Sequence, residues 1–268
     1  MLPLQPNDRV LLLGSTFFER DNTHGHFESH LLAAHPEKNL VIRNLGWSGD
    51  NVFGESRAYF GSREDGYKHV LAHVHRLKPT LIIVNYGANE SYQGSHGLDA
   101  FRKGYQRLLD DLSKVTARLV LMGLPACESL PAPMPDMDAQ NQRVKMYEDA
   151  ISALAGERGL PFIPLFDRVR ALGGGLTENG IHFHDAGYHK VAAALFGDPK
   201  GVNYPALRAL VLKKGELFFH NYRPQNETYL RGFRKHEQGN NAVEIAQYEP
   251  LIDAKDREIH MVLKGAGR

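Results

Sequence analysis

Cysteine is almost missing from this chain: Cys127 is the single one in 268 residues. No intrachain disulfide can form, which excludes the disulfide-stapled scaffolds of small secreted domains. Cys127 sits in Leu124-Pro125-Ala126-Cys127, and no nearby pattern argues for an activated thiolate, so it reads as a structural thiol. Long apolar runs are missing too. None approaches the roughly 18 residues that a spanning helix requires, so no membrane partner is expected. Charge of one sign is also lacking. Lys and Arg number 32 against 31 Asp and Glu, a net +1, which gives no electrostatic case for nucleic acid. Met1 to Asp8 has no signal-peptide character. A cytoplasmic protein and a secreted one with its leader removed both fit, and localisation stays open. Repeats and low-complexity tracts are absent.

What is present is a hydrophobic fraction of 42%, enough for one large domain and an appendage. Short apolar runs at 10–13, 40–45, 80–86, 118–122 and 161–165 read as strands, the third rich in β-branched residues. Between them lie helical patterns at 27–34, 66–77, 101–112 and 139–158, and a last one at 186–195. Strands separated by helices predict a three-layer α/β/α, flavodoxin-like fold with a central parallel sheet of about five strands. That domain is expected over residues 1–200. Residues 201–268 change character. Tyr204 to Lys214 has a helical pattern, while 220–241 is dense in polar, aromatic and amide side chains without a clean period. Its aromatics argue for an ordered C-terminal extension packed on the domain rather than a disordered tail.

The chemistry points to the strand ends. The first strand stops at Gly14-Ser15-Thr16, which puts a hydroxyl and unpaired backbone N–H groups at the carboxyl edge of the sheet. Ligands of open α/β sheets bind at that edge. After the second strand comes Gly46-Trp47-Ser48-Gly49-Asp50. After the third comes Gly87-Ala88-Asn89-Glu90. Late in the chain comes Asn179-Gly180-Ile181-His182. Each motif alone also fits an ordinary turn, a cap or a loop histidine. Their joint order is more specific.

That ordered set resembles the SGNH (GDSL-like) hydrolase superfamily, over about residues 8–200. Gly-Trp-Ser-Gly-Asp and the tail string Phe233 to Asn241 resemble in particular a bacterial branch common in planctomycetes. The resemblance implies acyl transfer: a hydroxyl attacks an ester carbonyl, a histidine takes its proton, and N–H donors hold the oxyanion. It implies Thr16 in the nucleophile position, His182 as base and Asn179 as its orienting partner. The donors it implies are the N–H groups of Thr16 and Gly49 and the Asn89 side chain, with Ser15, Trp47 and Asp50 in the binding set.

Two positions depart from the family pattern. Thr16 replaces serine, and its branched Cβ restricts rotamers. Asn179 replaces the aspartate, and a neutral amide cannot stabilise an imidazolium and can hold the wrong tautomer. Ser15 further replaces an acidic neighbour. Three readings of function therefore stand. One is an esterase or deacylase on a carbohydrate, using Thr16 and His182. Another is a glycoside hydrolase on the same scaffold, using Glu19 and Glu90 as its carboxylates, with Trp47, Tyr86 and Tyr92 stacking on sugars. The third is a non-catalytic domain that binds a glycan or a protein. Asp50 and Glu90 also have a structural reading, as acids that follow the motifs in ordinary members. No cofactor is expected. The pairs His24/His26, His73/His75 and His182/His184 are candidate metal ligands by spacing, but no cysteine or carboxylate pattern completes them, and no metal is expected.

Overall fold

The computed structural model describes residues 2–116 and 118–265. Five strands form one sheet: β1 (Arg9–Gly14), β2 (Val41–Asn44), β3 (Leu81–Asn85), β4 (Leu119–Met122) and β5 (Phe162–Ile163). All neighbouring pairs are parallel, in the order β2-β1-β3-β4-β5. Every residue of β3 is buried, as is Val10 to Gly14 of β1. Strands covered on both faces read as the continuous apolar runs seen in the sequence rather than as alternation.

The helices cover the two faces. After β1 come α1 (Thr16–Asp21) and α2 (His26–Ala33). Between later strands lie α3 (Arg63–Leu77), α4 (Leu98–Ser113) and α5 (Asp138–Arg158), which pack side by side. Beyond β5 come α6 (Phe166–Ala171), α7 (Asp185–Phe196) and α8 (Tyr204–Tyr222), and α2 packs on both α7 and α8. The chain runs outward from β1 to β2, then crosses back to β3. The switch point therefore lies between β1 and β3, where connections leave in opposite directions and open a crevice.

The differences from expectation have local causes. Helix α3 starts at Arg63, earlier than its apolar pattern, because Ser62 and Asp65 form a reciprocal capping box. Helices α1 and α6, six residues each, were missed; they are too short for a periodic signal. Helix α8 runs eight residues past its expected end, burying Phe218 and Tyr222.

The C-terminal segment continues through α9 (Glu227–Leu230) and α10 (Lys235–Gln238) to α11 (Tyr248–Gly265), which packs along α8. A buried charge cluster holds these elements. Lys214 of α8 donates to Glu28 of α2, to the Ile42 carbonyl of β2 at 3.1 Å and to Asp256 of α11 at 3.2 Å. Arg43 of β2 meets Asp256 at 2.7 Å. No described helix is long and apolar enough to cross a membrane.

Removing one member of such a cluster strands the others without compensation. Lys214→Met is therefore expected to destabilise the protein by about 3–5 kcal/mol. Urea denaturation monitored by far-UV circular dichroism checks this, and a loss below the uncertainty of the measurement would show that the cluster contributes nothing net.

Candidate active site

The end of β1 sets the geometry. Gly14 must be glycine, because a Cβ there would lie 2.5 Å from the Asn85 carbonyl oxygen of β3. Ser15 is buried and its N–H donates to that carbonyl. Thr16 begins α1, so its backbone N–H belongs to the first turn, which lacks intrahelical acceptors. Beyond β2 the chain folds back over α1. Gly46 lies so close to α1 that a Cβ would sit 2.2 Å from the Glu19 nitrogen. Gly49 has φ +75°, and its N–H donates to Thr16 Oγ1 at 3.2 Å. From β3, the Asn89 amide donates one hydrogen to the Asp50 carbonyl at 2.6 Å. The other hydrogen remains for a ligand.

The histidine loop is equally fixed. Glu128, from the proline-rich segment after β4, accepts N–H groups from Gly175, Leu176 and Thr177, and its own N–H donates to the Gly180 carbonyl. Asn179 Oδ1 accepts the N–H groups of Ile181 (3.2 Å) and His182 (2.9 Å). With its oxygen so engaged, the amide must turn its nitrogen outward, and Nδ2 lies 3.0 Å from His182 Nδ1. An NH₂ group can only donate, so His182 Nδ1 is the acceptor and the proton sits on Nε2. A carboxylate at position 179 would hold the opposite tautomer.

These loops meet in one cavity of about 180 Å³. Ser15, Thr16, Asn89 and His182 line it, with Arg20 and Tyr92; its apolar wall includes Val144 and Phe183. Arg20 bonds Glu178 at 2.5 Å, while its buried Nε has no partner among the described residues. Burial, then the Arg20 charge, hold the His182 imidazole below its ordinary pKa of 6.5, against the opposing Glu178 and Glu19. His182 is thus neutral at pH 7.

A model of the GDSL-like lipase/acylhydrolase family matches residues 13–190, two-thirds of the chain. The chain belongs to that family. Solved structures agree in fold. An α/β hydrolase from the metagenome of Lake Arreo, Spain, is 18% identical with a TM-score of 0.55, over 71% of this chain and 94% of that one. An acetyl xylan esterase is 20% identical with a TM-score of 0.54, over 69% and 96%. An acetylxylan esterase from Geobacillus stearothermophilus, as a catalytic mutant, is 16% identical with a TM-score of 0.55, over 72% and 94%. The chain also matches a gut microbial diltiazem-metabolizing enzyme at 17% identity and TM-score 0.55, through 75% of its own length but 48% of that enzyme's. No curated protein sequence matches.

Several expected site residues of this GDSL-like acylhydrolase lie elsewhere. Trp47 is buried under the Arg223 guanidinium, 3.9 Å from its ring, and cannot stack on a ligand. Tyr86 is likewise buried; Tyr92 alone of the three aromatics lines the cavity. Asp50 is fully buried and accepts Arg57 Nε at 2.7 Å, so it braces the loop and touches no ligand. Glu19 does stand one helical turn after Thr16, but it turns away to accept Ser48 at 2.5 Å and lies 3.6 Å from Arg223. Glu90 is buried beneath the site, where Oε1 accepts the Val52 N–H at 2.9 Å. Neither carboxylate lines the cavity, and the glycosidase reading loses its apparatus. Among the described residues, the tail contributes none to the cavity lining. Cys127 does line it, with its thiol pushed up to about 11 by burial, which keeps it inert as a nucleophile.

Sequence reasoning missed Arg20, which the amphipathic pattern of a six-residue helix could not place. It also missed a convergence of His26, His30 and His189, whose ring nitrogens gather within 4.8 Å of one another. The signal was the i, i+4 spacing of His26 and His30, which puts both on one helix face; the pair His24/His26 instead meets Asp185 Oδ1, at 3.5 and 3.2 Å.

Burial pushes the Glu90 carboxyl up to about 7 from an ordinary 4.5, and Asp21 to about 7 from 3.8. The folded protein keeps these protons at pH values where the unfolded chain has released them. Their contribution to stability is complete below pH ~4 and is lost as pH rises through 7. Glu90→Gln keeps the Val52 bond without the titration. It is expected to shrink the fall in unfolding free energy between pH 5 and pH 8 by on the order of 1–3 kcal/mol. Parallel denaturation curves at the two pH values read this directly, and an unchanged difference contradicts it.

Proposed function

We propose that this protein removes small acyl groups from a carbohydrate, with Thr16 Oγ1 as nucleophile and His182 as the proton carrier. The observation that supports this most is the meeting of Thr16, Asn89 and His182 on one small cavity, with the Gly49 N–H directed at the threonine oxygen. A volume of about 180 Å³ accommodates an acetyl-sized group. That two structural neighbours are acetylxylan esterases supports the substrate class.

The chemistry runs as follows. Thr16 Oγ1 bonds to the ester carbonyl carbon, and the carbonyl oxygen takes the electron pair. N–H donors of Thr16 and Gly49 and the free Asn89 hydrogen hold that oxyanion. The threonine proton passes to His182, then to the departing sugar hydroxyl. Water releases the acyl group in a second round. Accepting the proton at Nε2 requires the hydrogen on Nδ1, where it faces the Asn179 NH₂. Turning the amide over relieves the clash but gives up its bonds to Ile181 and His182, each worth about 1 kcal/mol. The resting tautomer therefore opposes the proton transfer and slows turnover in this scheme.

Asn179→Asp is expected to raise kcat on p-nitrophenyl acetate and acetylated xylo-oligosaccharides by roughly 10²–10⁴, the inverse of the loss known for an aspartate-to-asparagine change in serine proteases. Thr16→Ala should abolish acyl release in both backgrounds. Activity that survives Thr16→Ala refutes the nucleophile assignment. Because the base form of His182 persists to low pH, the acid limb of kcat/KM should fall below pH 6.5 and move upward in Arg20→Gln.

The same Asn179–His182 bond favours a second reading, a domain that binds an acylated glycan without cleaving it. Saturable binding of acetylated oligosaccharide with no detectable release by the wild-type chain, and activity appearing only with Asn179→Asp, would decide for it.

A further inference from the structure

Away from the cavity, α2 and α7 pack against each other and bring three histidines to one point. His26 and His30 stand one helical turn apart on α2, and His189 projects from α7. Their ring centroids are 5.1 Å (His26–His189) and 5.0 Å (His30–His189) apart, and one nitrogen from each lies within 4.8 Å of the others. His26 and His30 are almost wholly buried, His189 partly so.

The hydrogen bonds fix the tautomers. His30 Nδ1 lies 2.9 Å from the Gly197 carbonyl, which only accepts, so Nδ1 carries the proton. Its Nε2 is then a bare lone pair, buried and without a partner among the described residues. His26 Nε2 lies 3.2 Å from the acceptor-only Asp185 carboxylate, which places its proton there and leaves Nδ1 to take the Tyr204 hydroxyl at 2.7 Å. His30 thus has its N–H oriented by a carbonyl and a free lone pair, while the His26 Nδ1 lone pair holds the Tyr204 hydroxyl, which an ion would displace. That is the arrangement by which proteins prepare imidazoles for a metal.

We propose that His26, His30 and His189 bind one divalent late transition-metal ion of the zinc class. Three imidazoles with an open fourth position suit zinc, cobalt, nickel or copper and do not suit magnesium or calcium. Tetrahedral zinc with bonds of ~2.0–2.1 Å sets its ligands about 3.3 Å apart, so closure needs shifts on the order of 1 Å. The ion would clamp α7 to α2, and α7 directly follows the loop that carries His182. Its role is structural, and no step of the acyl transfer passes through it.

Tag-free protein, stripped with chelator and titrated with Co(II), tests this. Expected are about one equivalent bound, the visible bands of a low-coordinate cobalt site, and a Zn(II)-induced rise in Tm of roughly 5 °C at saturating metal. His189→Gln, on the partly exposed ligand, should weaken binding at least about tenfold, and His30→Gln should do the same where it folds. His182→Gln should leave the titration unchanged. No uptake at 100-fold excess over ~1 µM protein overturns the proposal, as does uptake that survives His189→Gln.

Discussion

A fully buried guanidinium holds the loops of this site in place. Arg57 donates Nε to Asp50 at 2.7 Å and Nη2 to the Leu45 carbonyl at 2.8 Å, and the Tyr86 hydroxyl closes the group at 3.0 Å from Asp50. The Trp47 ring lies 5.0 Å from the same guanidinium. Leu45, Trp47 and Asp50 belong to the loop after β2, and Tyr86 follows β3. One cation thus locks the two loops that flank β1. The Gly49 N–H reaches Thr16, and the Asp50 carbonyl reaches Asn89, only because this pair fixes where residues 45–57 lie. Removing two charges from water costs several kcal/mol per ion, so the pair persists through geometry and added hydrogen bonds rather than charge alone. The acid after the second glycine block is there for the loop, and the ligand side of the loop presents backbone.

The opposite wall is built by another carboxylate. Glu128 draws 175–177 against the segment after β4, and Asn179 closes a turn on its own loop. That turn has a consequence for chemistry. An aspartate could accept the backbone N–H groups with one oxygen and the imidazole proton with the other. Asparagine can do only the first, and must donate with the rest of its amide. One nitrogen in place of an oxygen leaves the architecture intact and reverses the histidine tautomer. In the proposed acyl transfer, His182 would start from its less useful tautomer.

The fold was legible because its physics is local and repeated. Buried strands such as Leu81–Asn85 are apolar runs, and amphipathic helices such as Leu98–Ser113 keep an apolar stripe at the helical period. The four strand-end motifs were legible for a related reason: close backbone approach and positive φ at Gly46 and Gly49 restrict residue type. The direction of single side chains was not legible. Glu19 follows Thr16 at helical spacing, yet Ser48 and Arg223 draw it to the other side. Glu90 adjoins Asn89 in sequence and lies under the sheet edge in space.

By itself, then, the sequence determined the parallel sheet and the edge at which the chemistry gathers, because hydrophobic period and turn residues are properties of short stretches. Tertiary structure decided the rest. It chose which acids face the cavity and brought His189 to His26 and His30. Those outcomes depend on contacts between residues 163 positions apart (His26 and His189) and 204 apart (Glu19 and Arg223), and no local pattern encodes such meetings.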